Sequence, residues 1–481
     1  MDINTEIIEN RVFGDIAPGD SASLSRKITL DDIALFSVIS GDINPAHLDA
    51  EYAASGLFHH IIAQGVLTAG LISAVLGTKL PGPGTIYLGQ DLRFLAPVSP
   101  GDTVTATVIV SEKIAQNHRV ILDCTCRNQD GAIVLHGTAT VKAPEEKISR
   151  RAIVLPEVRL LRHEHLRSLL SRAGAGSPLP TAIAHPCDEV SLLAAVEAAR
   201  AGLITPILVG PADRIRATAK THGLDISAFR IEPTAHSHQS AARAVELVRM
   251  GRAKLLMKGS LHTDELLHEV TAAQTGLRTG KRLSHVYVMD VPSYPKPLLV
   301  TDAAINIAPD LEDKTHIIQN AIELAHVLGI ATPRVAILAA VETVNPAMQA
   351  TLDAAALCKM AERGQITGAL LDGPLAFDNA INATAAAQKG ISSPVAGLAD
   401  ILVVPSIEAG NILAKQLTFL ANADAAGIVL GASVPIILTS RADDARARMA
   451  SCALAVILAG AKALVAPEAN AAFAQGAAAG A

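Results

Sequence analysis

The chain has 481 residues, half of them apolar and 18% charged, with a net charge of −6. That length predicts two to four domains with ample material for buried cores, and the charge excludes nucleic acid as a principal partner. Aromatic residues make up only 2% and Trp is missing, so the cores must be built from Ala, Val, Ile and Leu, a bias that suits α/β layers.

The opening MDINTEIIEN is acidic where a signal peptide would be basic. The most apolar early stretch, Ile61 to Gly77, holds Gln64 and three glycines and is short for a membrane span. A cytoplasmic location without a membrane partner is expected. The five cysteines are Cys124, Cys126, Cys187, Cys358 and Cys452, an odd and scattered set that makes no disulfide framework. Cys124 and Cys126 sit at strand spacing on one face, with no second pair to complete a metal site. They read as reduced thiols, and no metal is expected. The pairs His163/His165 and His236/His238 lie in polar stretches and read as solvated surface.

In chain order, Thr29 with Asp31 and Asp32 marks a helix start. Ile33, Phe36 and Ile39 give that helix an apolar stripe, and Gly41 stops it. A second helix, apolar on nearly all sides, runs from Val66 to Leu76. Alternating segments follow: TIYLGQDLRFLAPV, DTVTATVIVSEKI, RVILDCTCRNQ and AIVLHGTATVKA. Their period of two, with turn residues between, predicts an antiparallel sheet wrapped around the central helix. The charged, proline-bounded stretch APEEKISRRAIVLPEVR reads as a linker. After it, short apolar runs from PTAIAHPCD to PIILTS alternate with Ala-rich helical segments. That pattern predicts a doubly wound, mostly parallel α/β architecture, large enough to form two lobes with a cleft. The expected division is a domain over residues 1–145, a linker over 146–158 and a second domain over 159–481. The Ala/Gly-rich tail is expected to fray, and no internal repeat is present.

The first chemical block is S-G-D-I-N-P-A-H-L-D, from Ser40 to Asp49. Gly41 ends a helix and Pro45 stiffens the turn, so Asp42 and His47 can converge on one point. A carboxylate and an imidazole holding one water are what hydration of a double bond requires. Gly65, in A-Q-G-V-L-T-A-G, stands at the start of the buried helix. Its N–H is placed to stabilise a developing enolate oxygen, and its missing side chain allows close approach. These residues resemble the MaoC-like, (R)-specific enoyl-CoA hydratases of the hot-dog fold, over about residues 12 to 142. The resemblance also includes R-F-L-A-P-V from Arg93 to Val98. It implies that Asp42 and His47 are the acid/base pair, that Gly65 supplies the oxyanion N–H, and that Ser73 supports Asp42. Gln64 stands where many members have His. Two other readings stay open. Asp42, Asn44 and Asp49 are turn and cap residues of a non-catalytic thioester-binding domain, or the domain is a thioesterase of the same fold.

In the C-terminal half, polar residues recur at strand ends, where α/β sheets bind ligands. Lys258 and Gly259 follow one strand, Asp372 and Asp378 flank the end of another, and Gly410, Asn411 and Lys415 open a helix after a third. Ser440 and Arg441, with Asp443 close behind, end the strand PIILT. Arg441 offers a planar fork suited to phosphate. The set suggests a shared phosphate-binding cleft. The runs TDAAINIAPDLEDK, VNPAMQATLDAAALCKM, DGPLAFDNA, AGLADILVVPSIEAGNILAK and VPIILTSRAD resemble the phosphate acetyltransferase/phosphate butyryltransferase family across about residues 160 to 465. The resemblance implies the two-lobed fold shared with isocitrate dehydrogenases, and transfer of an acyl group between CoA and inorganic phosphate without a bound cofactor. It also implies that Ser440 and Arg441 bind phosphate. The Asp found seven residues after the Ser in acetyl-type members is Ala447 here, so that Asp443 or Asp444 substitutes for it or the base comes from elsewhere. DGPLAFD and TSRAD lean toward the butyryl branch.

The resulting expectation is a bifunctional enzyme, an α+β hot-dog domain followed by an isocitrate dehydrogenase-like α/β domain. Its substrates are enoyl-CoA, acyl-CoA and inorganic phosphate or acyl phosphate, with coenzyme A thioesters taking the place of any resident cofactor. A homo-oligomer is expected. The alternative is that one domain is catalytic and the other an acyl-CoA-binding or regulatory module.

Overall fold

A computed structural model describes residues 7–156, 158, 160, 164–438 and 443–478, with side chains described as far as residue 461. The chain divides into two compact units, Met1–Leu160 and Leu161–Ala481.

In the first unit, Thr29 caps the helix Leu30–Ser40 through a reciprocal bond with Asp32, and Gly41 ends it in the left-handed conformation at φ 74°. The expected apolar stripe holds only in part. Ile33 is fully buried, whereas Ile39 is 74% exposed, because the core-facing arc of this helix turns through Ser37 instead. The strands are β1 (Ile7–Glu9), β2 (Ser21–Lys27), β3 (Ile86–Phe94), β4 (Thr103–Ile114), β5 (Arg119–Arg127), β6 (Ile133–Lys142) and β7 (Ser149–Arg151). Five form an antiparallel sheet in the order β2-β4-β5-β6-β3. The helix Gly65–Thr78 packs on it, and Ile72, Val75 and Leu76 interlock with Val104, Val108, Leu122 and Val141 in one core. Cys124 and Cys126 face inward on β5 as free thiols. Burial pushes them up to about 12 and about 11. Part of the expected linker is structured: β7 pairs antiparallel with β1. Asn10 braces that pairing, accepting from the Ile148 N–H and donating to the Glu146 carbonyl.

The second unit contains β8 (Leu179–Ala184), β9 (Ile204–Gly210), β10 (Arg230–Pro233), β11 (Leu255–Lys258), β12 (Ser284–Asp290) and β13 (Leu298–Thr301). These are followed by β14 (Arg334–Leu338), β15 (Leu370–Leu375), β16 (Ile401–Val403), β17 (Asp424–Leu430) and β18 (Ile436–Ile437). All eleven belong to one sheet, in the order β10-β9-β8-β11-β18-β17-β12-β13-β16-β14-β15. The expected parallel pairing holds on both flanks. At the centre, β18–β17, β17–β12 and β12–β13 are antiparallel. The sheet is therefore mixed, and the parallel strands of its two flanks run in opposite directions.

The two-lobed character lies in the packing. On one face a single core runs across both flanks, from Ile183 and Leu255 through Val286 to Val335 and Ile401. On the other face the core is split. One cluster gathers around Ala182, Val209, Leu256 and Ile436, and a second around Met289, Val300, Ala336 and Leu402. Among the described residues, no helix is long and apolar enough to cross a membrane.

Candidate active sites

The loop after Gly41 is assembled by its own polar residues. Asp42 Oδ1 accepts from the Asn44 N–H, Asn44 Oδ1 accepts from the Ala46 N–H, and Pro45 opens the short helix Pro45–Leu48. This turn presents His47 toward Asp42, with Nε2 3.8 Å from Oδ2. The His47 side chain is 11% exposed and that of Asp42 41%. His47 Nδ1 lies 2.7 Å from the Ile62 carbonyl. A carbonyl only accepts, so Nδ1 is the donor there and Nε2 is the nitrogen on the side facing Asp42.

Gly65 opens the helix Gly65–Thr78, and none of the hydrogen bonds among the described residues uses its N–H. It lines an apolar pocket of about 460 Å³ with Phe58, Ile62, Val66, Phe94 and Val98. The R-F-L-A-P-V run supplies one wall. That run was legible as a signature, but its position beside Gly65 was not.

Two expected contributors, Gln64 and Ser73, make no hydrogen bond to Asp42 or His47 among the described residues. Gln64 is 3% exposed and turned inward, donating to Ser37 Oγ at 2.8 Å and to the Ile33 carbonyl. It ties the first helix to the start of the second and is absent from the pocket wall. Ser73 is exposed, and among the described residues it makes no hydrogen bond to Asp42.

In the second unit the sheet directions sort the remaining candidates. The strands β8, β9, β10, β11, β18 and β12 all end at one edge, and β13, β14, β15, β16 and β17 at the other. Lys258 ends β11 and Gly259 follows it at the first edge, where β18 also ends. Ser440 and Arg441 themselves lie outside the described residues. Asp378, Gly410, Asn411 and Lys415 follow strands that end at the second edge. One row of strand ends therefore does not gather the whole set.

Several of these residues have structural duties. A Cβ on Gly259 would stand 2.4 Å from the Ala184 carbonyl oxygen, so glycine lets β8 and β11 close up. A Cβ on Gly410 would stand 2.6 Å from the Asp302 carbonyl oxygen, and Asn411 donates to the Ala303 carbonyl. Both seat the helix Ile407–Leu420 on the turn after β13. Asp372 Oδ1 accepts from the Gly373 N–H and Asp378 Oδ1 from the Asn379 N–H. Lys415 is exposed. Lys258 is 9% exposed, its ammonium donating to the Gly259 carbonyl.

A polar seam fills the gap between the two split cores. His285 and Tyr287 project from β12 with their rings 4.5 Å apart, opposite Gly427 on β17. A Cβ on Gly427 would crowd both rings, at 3.0 and 3.1 Å. Burial, and then the charge of Asp443, pushes the Tyr287 hydroxyl up to about 12. Asp444 instead accepts from the Ala447 N–H and caps the helix Ala445–Ala478.

The loops after β8, β9, β10 and β11 enclose a further pocket containing His185, Arg214, Ser260 and His262. The sequence signal was A-H-P-C-D directly after a strand. It passes unnoticed because the other members come from separate loops.

Comparison with known proteins places both halves. Residues 17–126 match the family described as MaoC like domain, and residues 234–456 the family described as Phosphate acetyl/butaryl transferase. The chain is 63% identical over 291 residues to a phosphate acetyltransferase of Rhizobium meliloti, covering 60% of this chain and 92% of that one. The butyryl lean of DGPLAFD and TSRAD thus stands beside a near relative with the acetyl name. A branched-chain phosphotransacylase from Enterococcus faecalis is 31% identical, with a TM-score of 0.52, covering 58% of this chain and 99% of that one. R-Hydratase PhaJ1 from Pseudomonas aeruginosa is 43% identical, with a TM-score of 0.31, covering 32% of this chain and 99% of that one. With a 63% identical relative matched over nearly its whole length, the chain belongs to the phosphate acetyl/butyryl transferase family, and its sequence begins with a MaoC-like domain.

Proposed function

We propose that the chain is a bifunctional enzyme of short acyl-thioester metabolism. Its first unit hydrates a trans-2-enoyl-CoA to the (R)-3-hydroxyacyl-CoA, and its second exchanges an acetyl or other short acyl group between CoA and phosphate.

For the first unit, one observation carries the reading. Asp42 and His47 face each other at 3.8 Å, and His47 bonds the carbonyl of Ile62, which lines an apolar pocket together with Gly65. That separation is too long for a direct hydrogen bond and allows one water to bond both groups. His47 Nε2 and Asp42 share removal of a proton from the water, whose oxygen bonds to the β-carbon. The proton is returned to the α-carbon. Negative charge gathering on the thioester oxygen meets the Gly65 N–H, reinforced by the helix dipole.

For the second unit, the family match supports the reaction. A phosphate oxygen attacks the thioester carbonyl, the C–S bond breaks, and CoA leaves as the thiolate. Ser440 and Arg441 hold the phosphate. Asp443, close behind Ser440 and Arg441 in the sequence, takes the thiol proton in the reverse direction.

Two assays on one preparation of the full chain test the proposal: loss of the crotonyl-CoA double bond, and phosphate-dependent release of CoA from acetyl-CoA. Both activities are expected. If the protein binds crotonyl-CoA without hydrating it, the first unit is a binding module.

A further inference from the structure

The helix Leu30–Ser40 carries Asp42 just beyond its end, and little of that helix reaches the core. Its buried residues are Ile33 and Ser37. Val38 and Ile39, in its last turn, are 73% and 74% exposed. A buried face that narrow anchors the helix weakly, because hydrophobic anchoring scales with the apolar area removed from water. The Gln64 amide takes hold at both buried points. It donates to Ser37 Oγ at 2.8 Å and to the Ile33 carbonyl at 3.3 Å.

From Ser37 the hold passes to Asp42 through short-range bonds. The Gly41 N–H donates to the Ser37 carbonyl at 2.9 Å. Ser40 Oγ donates to the Phe36 carbonyl and accepts from the Asp42 N–H at 3.2 Å. Asp42 is therefore bonded to the last turn of a helix that Gln64 ties down. Gln64 also stands between the other two parts of the site. Gly65, next to it, opens the helix Gly65–Thr78, and the carbonyl of Ile62, two positions before it, accepts from His47 Nδ1. The segment from Ile62 to Gly65 thus holds His47 by a backbone carbonyl and Asp42 through the Gln64 side chain.

Stability alone does not account for an amide at this position. Gln64 is 3% exposed, and its Oε1 is buried with no hydrogen-bond partner among the described residues. An unpaired buried acceptor is destabilising, and an apolar side chain of the same length would leave none. Ser37 would not be orphaned either, since its hydroxyl can turn back to the Ile33 carbonyl one helical turn away.

We propose that Gln64 is a positioning residue for hydration, which sets the separation of Asp42 from His47 by fixing the helix that ends beside Asp42. This rests on the reading of the first unit as a hydratase. Gln64 is absent from the pocket wall, so it acts through Asp42 and not on the thioester.

The test uses Gln64→Met in the full-length protein, which keeps the length of the side chain and removes its donor. Thermal unfolding should match wild type or exceed it. The kcat for crotonyl-CoA hydration is expected to fall roughly tenfold or more, the effect of a misplacement below one ångström. KM should stay the same, because the pocket wall is intact. In an Asp42→Asn background the same substitution should cost little further activity, since the carboxylate it misplaces is already gone. A crystal structure of the full-length variant should show the Asp42–His47 separation moved from 3.8 Å. Ser37→Ala removes the other partner of the 2.8 Å bond. It should lower kcat in the same way, and it decides the matter if Gln64→Met does not fold. A wild-type kcat, a full loss on top of Asp42→Asn, or an unchanged separation overturns the proposal. If the wild-type chain leaves crotonyl-CoA unhydrated, the hydratase reading falls, and the two structures still decide whether Gln64 sets the separation.

Discussion

His47 donates from Nδ1 to the carbonyl oxygen of Ile62 at 2.7 Å. This contact fixes which nitrogen of the imidazole is free to act, and it joins the Asp42 loop to the chain entering the Gly65 helix. A single backbone carbonyl thus ties His47 to the segment that leads into Gly65.

The first prediction follows from that arrangement. Asp42→Asn keeps the shape of the loop and the Asn44 bond but removes a proton acceptor. Crotonyl-CoA hydration is expected to fall by about 10²–10⁴, the usual share of a general acid–base group. Phosphate-dependent CoA release in the same preparation should be unchanged. Hydration at the wild-type rate would remove Asp42 from the mechanism.

Gly65→Ala tests the close approach. The added methyl would stand 2.9 Å from the Phe94 ring, which is 52% exposed and able to swing aside. Folding should therefore survive, while the methyl displaces the thioester by a fraction of an ångström. Hydration is expected to drop on the order of 10²-fold. The double variant Gly65→Ala/Phe94→Ala should not recover it. Recovery would show that the methyl disturbs packing alone.

The second unit contains a buried ion pair whose loss should be visible in stability. Lys314 Nζ lies 2.5 Å from Asp353 Oδ2, with side chains 6% and 9% exposed. Gln349 satisfies the other carboxylate oxygen at 2.7 Å. Lys314→Met leaves that carboxylate charged and buried, and should destabilise the unit by about 3–5 kcal/mol in urea unfolding. Lys314→Met/Asp353→Leu should regain most of the loss, because it removes both charges together.

His285 makes stability depend on pH. Complete burial holds its imidazole down to about 4, below its ordinary 6.5, against the smaller opposing influence of Asp302. The folded form keeps His285 neutral while the unfolded chain protonates near 6.5. This contribution is therefore fully present above about pH 6.5 and is lost as pH falls toward 4. His285→Gln should flatten the unfolding free energy over that window. An imidazole resonance for His285 that titrates near 6.5 in the native protein would contradict this.

How much was legible in advance depended on how local the signal was. Thr29, Asp32 and Gly41 bound one helix through bonds spanning three or four residues. The Asp42–His47 block likewise closes within a single loop, so its chemistry could be read directly from residue order. The alternation over Thr103–Ile114 and Arg119–Arg127 announced inward and outward faces, and the burial follows it. These features were determined by the sequence itself, because each rests on neighbours along the chain.

Only the tertiary structure decided the rest. Strand runs carry no mark of their direction in a sheet, so Lys258 and Asn411 look alike in sequence yet belong to opposite edges. Gly259 and Gly410 resembled anion-binding glycines, but they exist to admit the carbonyls of Ala184 and Asp302. Gln64 looked like a site residue until its amide was found on Ser37, 27 positions away. Arg214 drew no notice because the residues that share its pocket come from three other loops. Close approach between distant segments is set by how whole strands and helices pack, and local propensity does not encode it.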